Sequence, residues 1–247
     1  MKLKLLDLFS GIGGFSLGLE STGFFETIAF VEKDKFCQKV LKKNFNNIPI
    51  EEDIRNVKGS NYKADVITGG FPCQPFSVAG KRKGTDDDRY LWDETIRVVR
   101  ECKPRWFIGE NVEGIINIQE GMVLRKVCDD LEKEGFEVQC IIIPASSIGA
   151  FHQRKRVWII AYSKHNGLYR KKGNETIKSF NQSKEWIFIR DNWKKNKSEF
   201  LRINDGLSSK LDKYRTNRIK SLGNSIVPQI ARQLGLAIMK AELNASS

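Results

Sequence analysis

One thiol in this chain stands apart by its surroundings. Cys73 lies in Gly69-Gly70-Phe71-Pro72-Cys73-Gln74-Pro75-Phe76-Ser77, just after the apolar run Asp65–Thr68. That run reads as a strand, so the thiol falls in the loop at its carboxyl end. Two flanking prolines stiffen the backbone there. A thiol held in a stiff loop reads as a nucleophile, and cations such as Arg154 and Arg156 would favour its thiolate. Cys37, Cys102, Cys128 and Cys140 sit in helix or strand patterns and read as small buried hydrophobes. Five cysteines without paired spacing argue against a disulfide framework and against a Cys-x-x-Cys zinc site. No metal is expected.

A second constellation opens the chain. Asp7-Leu8-Phe9-Ser10-Gly11-Ile12-Gly13-Gly14-Phe15 joins a strand pattern to a helix pattern. Glycines in such a turn let the backbone approach a ligand closely. Nineteen residues past Gly13, Glu32 ends a second strand pattern, where an acidic side chain accepts hydrogen bonds from ribose hydroxyls. A dinucleotide fingerprint would need Gly or Ala at position 16, and Ser16 stands there. The turn therefore suits a nucleoside ligand without a pyrophosphate, of which S-adenosylmethionine is the common one.

Positioning these groups requires a sheet. Leu3–Phe9, Thr27–Val31, Asp65–Thr68, Trp106–Gly109, Val138–Ile143 and Val157–Tyr162 read as strands. A helical stretch runs from the glycine turn to about Thr22, and Lys35–Phe45, Leu91–Cys102 and Val123–Glu134 read as helices between the strands. Strands alternating with helices predict an α/β fold, a doubly wound and mostly parallel sheet. Such sheets bind ligands at the carboxyl ends of their strands. Gly11 to Gly14, Glu32, Pro72-Cys73 and Glu110-Asn111 all fall there. Near the end, Ile226, Ile230, Leu234, Ala237, Ile238 and Ala241 share one face of a helix from about Val227 to Leu243, which should pack back on the sheet.

The charge is unevenly spread. The net charge is +12, yet residues 1–162 carry 24 basic and 23 acidic side chains, whereas 163–220 carry 16 and 6. Tyr169, Phe180, Trp186, Phe188, Trp193, Phe200 and Tyr214 lie among those cations. Clustered Lys and Arg with interleaved rings suit a polyanion surface. The expected organisation is a catalytic domain of 1–162 plus 216–247, with 163–215 a small basic insert. At 40% hydrophobic residues the chain can build a core, and no apolar run approaches the roughly 20 residues of a membrane span. A soluble, cytoplasmic protein is expected.

Five separated blocks make the chain resemble the DNA (cytosine-5) methyltransferases: Asp7-Leu8-Phe9-x-Gly11-x-Gly13-Gly14, Gly70-Phe71-Pro72-Cys73-Gln74-Pro75-Phe76-Ser77, Glu110-Asn111-Val112, Arg154-x-Arg156 and Gly223-Asn224-Ser225-x-Val227-Pro228. The resemblance implies that Cys73 adds to C6 of a cytosine flipped out of double-stranded DNA. It implies that Glu110 holds or protonates N3, with Arg154 and Arg156 fixing O2 and the Glu110 carboxylate. A carboxyl in that role should have a raised pKa. It places S-adenosylmethionine against Phe9, Gly11 and Gly13, with Glu32 on the ribose, Asp53 and Ile54 at the adenine, and Pro72 and Leu91 at the methionine. Asn224 and Ser225 would close the pocket. The segment Ser77–Arg89 would serve as a mobile lid. The resemblance also implies a monomer and leaves room for a cognate restriction endonuclease.

Two departures stand out. Phe151-His152 occupies the place of the family's usual Pro-Gln, and only about 50 residues remain for a recognition region that is long elsewhere in the family. The arrangement looks like the compact, phage- or prophage-type members. Two rival readings remain on the sequence: an RNA (tRNA) cytosine-5 methyltransferase, and a non-catalytic DNA-binding module on the same fold. The first lacks a Cys within 163–215, and the second predicts erosion at Cys73, Glu110 or Arg154, which is not seen.

Overall fold

A computed structural model describes residues 2–72, 91–150, 153–164 and 221–246. The strands are β1 (Leu3–Leu8), β2 (Phe25–Val31), β3 (Ile50–Glu51), β4 (Val66–Gly69), β5 (Trp106–Val112), β6 (Phe136–Pro144) and β7 (Lys155–Ser163). The helices are α1 (Gly14–Glu20), α2 (Lys35–Asn44), α3 (Trp92–Cys102), α4 (Met122–Lys133) and α5 (Pro228–Ser246). All strands join one sheet in the order β3-β2-β1-β4-β5-β7-β6.

The first five strands pair in parallel, and β7 runs antiparallel to both β5 and β6. The order reverses between β1 and β4, since β2 and β3 lie on one side and β5 on the other. Loops leaving adjacent strands diverge at such a switch point, which opens a crevice at their carboxyl ends. The expected doubly wound, mostly parallel sheet is what the chain forms. The two-residue β3 was not foreseen, because Ile50-Glu51 is too short to carry a period-2 pattern.

Buried side chains form two layers, one on each face of the sheet. On one face Trp92, Ile96 and Val99 of α3 and Val123, Val127 and Leu131 of α4 cover Leu6, Ile67, Phe107, Val157 and Ile159. On the other, Phe15 and Leu19 of α1 and Ile230, Leu234, Ala237 and Ile238 of α5 cover Leu5, Val66, Ile108, Trp158 and Ile160. Odd and even strand residues go to opposite faces because the side-chain period of a strand is two. The predicted stripe on the last helix is buried as expected, from Ile230 to Ala241. Pro228 starts α5, where its missing N–H costs nothing.

α1 and α5 touch through Gly18. A Cβ there would collide with the Pro228 carbonyl oxygen and come within 2.7 Å of the Ala231 Cβ. Backbone-to-backbone approach at this point holds the end of the chain beside the glycine turn. Among the described residues, no helix is long and apolar enough to cross a membrane.

Candidate active site

A cavity of about 470 Å³ opens at the carboxyl ends of the strands. β1 delivers Phe9 and Gly11, β2 delivers Glu32, β4 leads into Gly70, Phe71 and Pro72, β5 delivers Glu110, Asn111 and Val112, and Arg154 and Arg156 lie at and beside the start of β7. Ser221 and Asn224 reach it from the C-terminal part of the chain. Eight of the residues singled out from sequence thus line one space: Phe9, Gly11, Glu32, Pro72, Glu110, Arg154, Arg156 and Asn224. Cys73 follows Pro72 directly and lies outside the described residues, as do His152, the segment Ser77–Arg89 and the basic insert beyond Lys164.

The remaining expected positions sit around that lining. Gly13 is the N-cap of α1 with φ +86°, and a Cβ there would stand 2.5 Å from the Phe45 ring. Asp53 caps a short 3-10 turn, accepting from the Arg55 N–H at 3.0 Å, and pairs with the Arg55 guanidinium at 2.7 Å. That pairing holds its carboxyl below the usual range. Ile54 is buried, and Leu91 is half-buried against the α3 side of the core. Ser225 lines a neighbouring apolar hollow with Ile12, Leu17 and Ile226.

Glu110 is the most constrained of these groups. It is 8% exposed, and its Oε1 lies 3.1 Å from the Arg156 Nε. Burial pushes its carboxyl up to about 7, against the pull of the Arg156 and Arg154 charges. Desolvation disfavours the charged form more strongly than two cations restore it. The expected raised pKa is present, with burial as the cause.

The two arginines divide their work. Arg156 holds Glu110 and donates to the Lys155 carbonyl. Arg154, in the left-handed region at φ +29°, donates instead to the carbonyls of Gly223 and Ser225, the latter at 2.8 Å. Its guanidinium thereby ties the C-terminal block to the foot of β7. Asn111 makes a second tie. Its Nδ2 donates to the Phe71 carbonyl at 2.8 Å and its Oδ1 accepts from the Val112 N–H. The strand that carries Glu110 is thus fastened to the loop two residues before Cys73.

On the other wall, Glu32 Oε2 accepts from the Gly11 N–H at 2.6 Å and Oε1 from the Asp34 N–H at 2.7 Å. Burial raises this carboxyl, and the backbone donors partly offset it. Phe9 precedes the turn at φ +52°, a conformation non-glycine residues adopt rarely and often at functional sites. Because a carboxylate occupies the Gly11 donor, the turn offers no open nest for a phosphate.

Sequence reasoning passed over some lining residues. Cys37 is buried, but on the cavity wall and 3.5 Å from the Ser221 Oγ, where burial pushes its thiol up to about 11. Cys140 is exposed and lies 3.4 Å from the Cys128 sulfur, so the expectation of a buried hydrophobe fails there. Asp7 carried a signal that was legible, a carboxylate inside the apolar run Leu5-Leu6-Asp7-Leu8.

A sequence model of the C-5 cytosine-specific DNA methylases matches residues 3–220. The chain belongs to that family. Curated relatives include the Type II methyltransferase M.Bsp6I of Bacillus sp., 37% identical over 164 residues, covering 65% of this chain and 52% of that protein. Another is the Type II methyltransferase M.AquIA of Picosynechococcus sp., 36% identical over 179 residues, covering 65% of this chain and 72% of that protein. The chain spans about half the length, or less, of several curated relatives it matches. A mutant of Spodoptera frugiperda DNMT2 has the same fold, with a TM-score of 0.69 at 16% identity over 96% of this chain and 100% of that one.

Proposed function

We propose that this methylase transfers a methyl group from S-adenosylmethionine to C5 of a cytosine flipped out of double-stranded DNA, through a covalent Cys73–C6 adduct. The observation that carries the reading is Glu110: a carboxyl kept near neutrality by burial, braced by Arg156, in a cavity rimmed by the residue before Cys73. The donor set also suits the cofactor. Glu32 has lone pairs beyond those its backbone N–H partners use, Phe9 offers a ring, and the turn offers no phosphate nest. When bound, S-adenosylmethionine supplies an electrophilic methyl on a sulfonium.

C5 of cytosine is a weak nucleophile on its own. Addition of the Cys73 thiolate to C6 breaks the C5–C6 π bond and leaves C5 electron-rich. Negative charge would collect at N3 and O2. A protonated Glu110 places its proton at N3, so that charge is neutralised as it forms. Arg156 fixes the direction of that proton through its contact with Oε1. After methylation the C5 proton passes to solvent, the C6–S bond breaks to return the thiolate, and N3 gives its proton back to Glu110, which restores the ring and the acid. Arg154 and Asn111 keep the C-terminal block and the cysteine loop in register with β5. A base inside a duplex must leave the stack first, at a cost of roughly a few kcal/mol. The basic insert supplies the grip for that step.

Bisulfite sequencing of host DNA after expression is the direct test. The native chain should leave 5-methylcytosine in a defined sequence context, and Cys73→Ala should leave none while S-adenosylmethionine binding persists. Trapping on duplex DNA containing 5-fluorocytosine, whose C5–F bond blocks elimination, should retain only the native chain. A folded protein that binds the cofactor yet neither methylates nor traps DNA overturns the reading. Equal labelling of tRNA and duplex DNA in a tritiated-methyl competition overturns the choice of substrate.

A further inference from the structure

We propose that Asp7 is a positioning residue for the cofactor: its buried carboxylate stands in for the N-cap side chain that Gly13 lacks, and so fixes the turn carrying Phe9 and Gly11. The inference rests on the function proposed above and adds a group outside the cavity lining.

Asp7 is fully buried near the end of β1, one residue before Leu8. Its Oδ1 accepts from the Thr68 hydroxyl on β4 at 2.6 Å, and its Oδ2 from the Ser16 hydroxyl on α1 at 3.1 Å. The Ser16 backbone N–H also points to this carboxyl. Ser16 is the third residue of α1, the position whose N–H an N-cap side chain ordinarily satisfies. Gly13 holds the cap position in a left-handed conformation and has no side chain to offer. Asp7 therefore serves this helix end from across the turn. Its own carbonyl accepts from the Ser10 hydroxyl at 2.6 Å, and the Ser10 carbonyl accepts from the Gly13 N–H at 2.8 Å. The whole turn from Phe9 to Gly13 is thereby spanned by bonds anchored at one residue. A buried carboxylate between apolar layers is costly unless it is hydrogen-bonded in this way, and a helix cap alone could have come from a Ser or Asp at position 13. What position 13 needs instead is a glycine, because a Cβ there would strike Phe45.

An ionised carboxyl serves this arrangement best, since its two oxygens then accept from all three donors at once. Burial pushes Asp7 up to about 7; the Thr68 and Ser16 bonds pull it down, and the Glu32 charge pushes it up. Thr68 on β4, Ser16 on α1 and Glu32 at the end of β2 are the groups that face it, and Glu32 is the charged one. The tie is at full strength above about pH 7 and weakens as pH falls through that value.

The test is the dissociation constant of S-adenosylmethionine, measured by calorimetry from pH 6 to 8.5 on the full chain. In the native protein it should rise as pH falls through about 7. Asp7→Asn should raise it roughly tenfold or more at pH 8, as expected for losing bonds to a charged group, and should flatten the pH dependence near 7. Thr68→Val, nearly the same in shape, removes one donor that favours the ionised form and should move the inflection to higher pH. Circular dichroism reports whether each variant is folded, and if Asp7→Asn is not, the Thr68→Val inflection decides. An inflection unmoved in Thr68→Val, or the same in Asp7→Asn as in the native chain, overturns the positioning role. A native chain that binds no S-adenosylmethionine at any pH overturns the proposed function and this inference with it.

Discussion

Replacing Glu110 by Gln isolates the proton that the proposed chemistry needs. An ordinary glutamate titrating at 4.5 would be protonated about once in 300 molecules at pH 7. At about 7 it is protonated in half of them, so the site as a whole, burial less the pull of the arginines, favours the neutral form by about 3 kcal/mol more than water does. The same titration sets the pH profile. Between pH 6 and pH 8 the protonated fraction falls about tenfold, whereas the Cys73 thiolate grows, so the rate should pass through a maximum. Single-turnover methylation of a short duplex is the appropriate assay, because it separates chemistry from product release. The native rate should decline on the alkaline side with an apparent pKa near 7. Glu110→Gln should lose roughly 10²–10⁴ in rate and retain only the rising limb. Arg156→Met removes the cation that pulls Glu110 down, so any residual activity should show its alkaline limb at higher pH. A Glu110→Gln rate that still falls above pH 7 would refute the assignment of that limb, as would a native rate that climbs without a break to pH 8.5.

Two further outcomes follow from the packing and the charge distribution. Gly18→Ala should destabilise the chain by roughly 1–3 kcal/mol through overpacking against Pro228 and Ala231, offset in part by about 1 kcal/mol of helix propensity. Thermal melting should fall by several degrees, at roughly 2–4 °C per kcal/mol for a chain of this size, and an unchanged melting point would mean that α1 and α5 pack more loosely than they do here. Neutralising Lys194, Lys195 and Lys197 to Gln should weaken duplex binding and shallow the slope of log K against log salt by about 0.9 per lost phosphate contact. S-adenosylmethionine affinity should hold, and an unchanged salt slope would detach the basic insert from DNA.

Much of this architecture was legible because parallel sheets impose readable rules. Leu3–Leu8, Phe25–Val31 and Val66–Gly69 are buried on both faces, so each appears in the sequence as an apolar run with helices between. The rule that ligands bind at strand ends then located Glu32, Pro72 and Glu110 together. What the pattern could not carry was direction. Phe136–Pro144 and Lys155–Ser163 read as strands like the others, yet they pair antiparallel at the far edge. Nor could it carry the partner of a long side chain. Arg154 and Arg156 are two residues apart and look equivalent, but a left-handed backbone at Arg154 sends its guanidinium to Gly223 and Ser225 while Arg156 turns to Glu110. Contacts between positions about 70 residues apart leave no local trace in sequence.

The strand ends hold two buried carboxyls and one half-buried, and their differences come from their donors more than from their depth. Asp7 meets hydroxyls and an α1 N–H, Glu32 meets backbone N–H groups of the turn and of Asp34, and Glu110 meets a guanidinium. Desolvation raises all three. The donors decide which form each site can use. In the bonds they make here Asp7 and Glu32 act as acceptors, a role their ionised forms fill best. Arg156 contacts one oxygen of Glu110, Oε1, which leaves Oε2 beside Gly70 able to carry a proton toward the cavity. A proton-donating carboxyl thus needs a one-sided partner and an open second oxygen, and of the three only Glu110 has both.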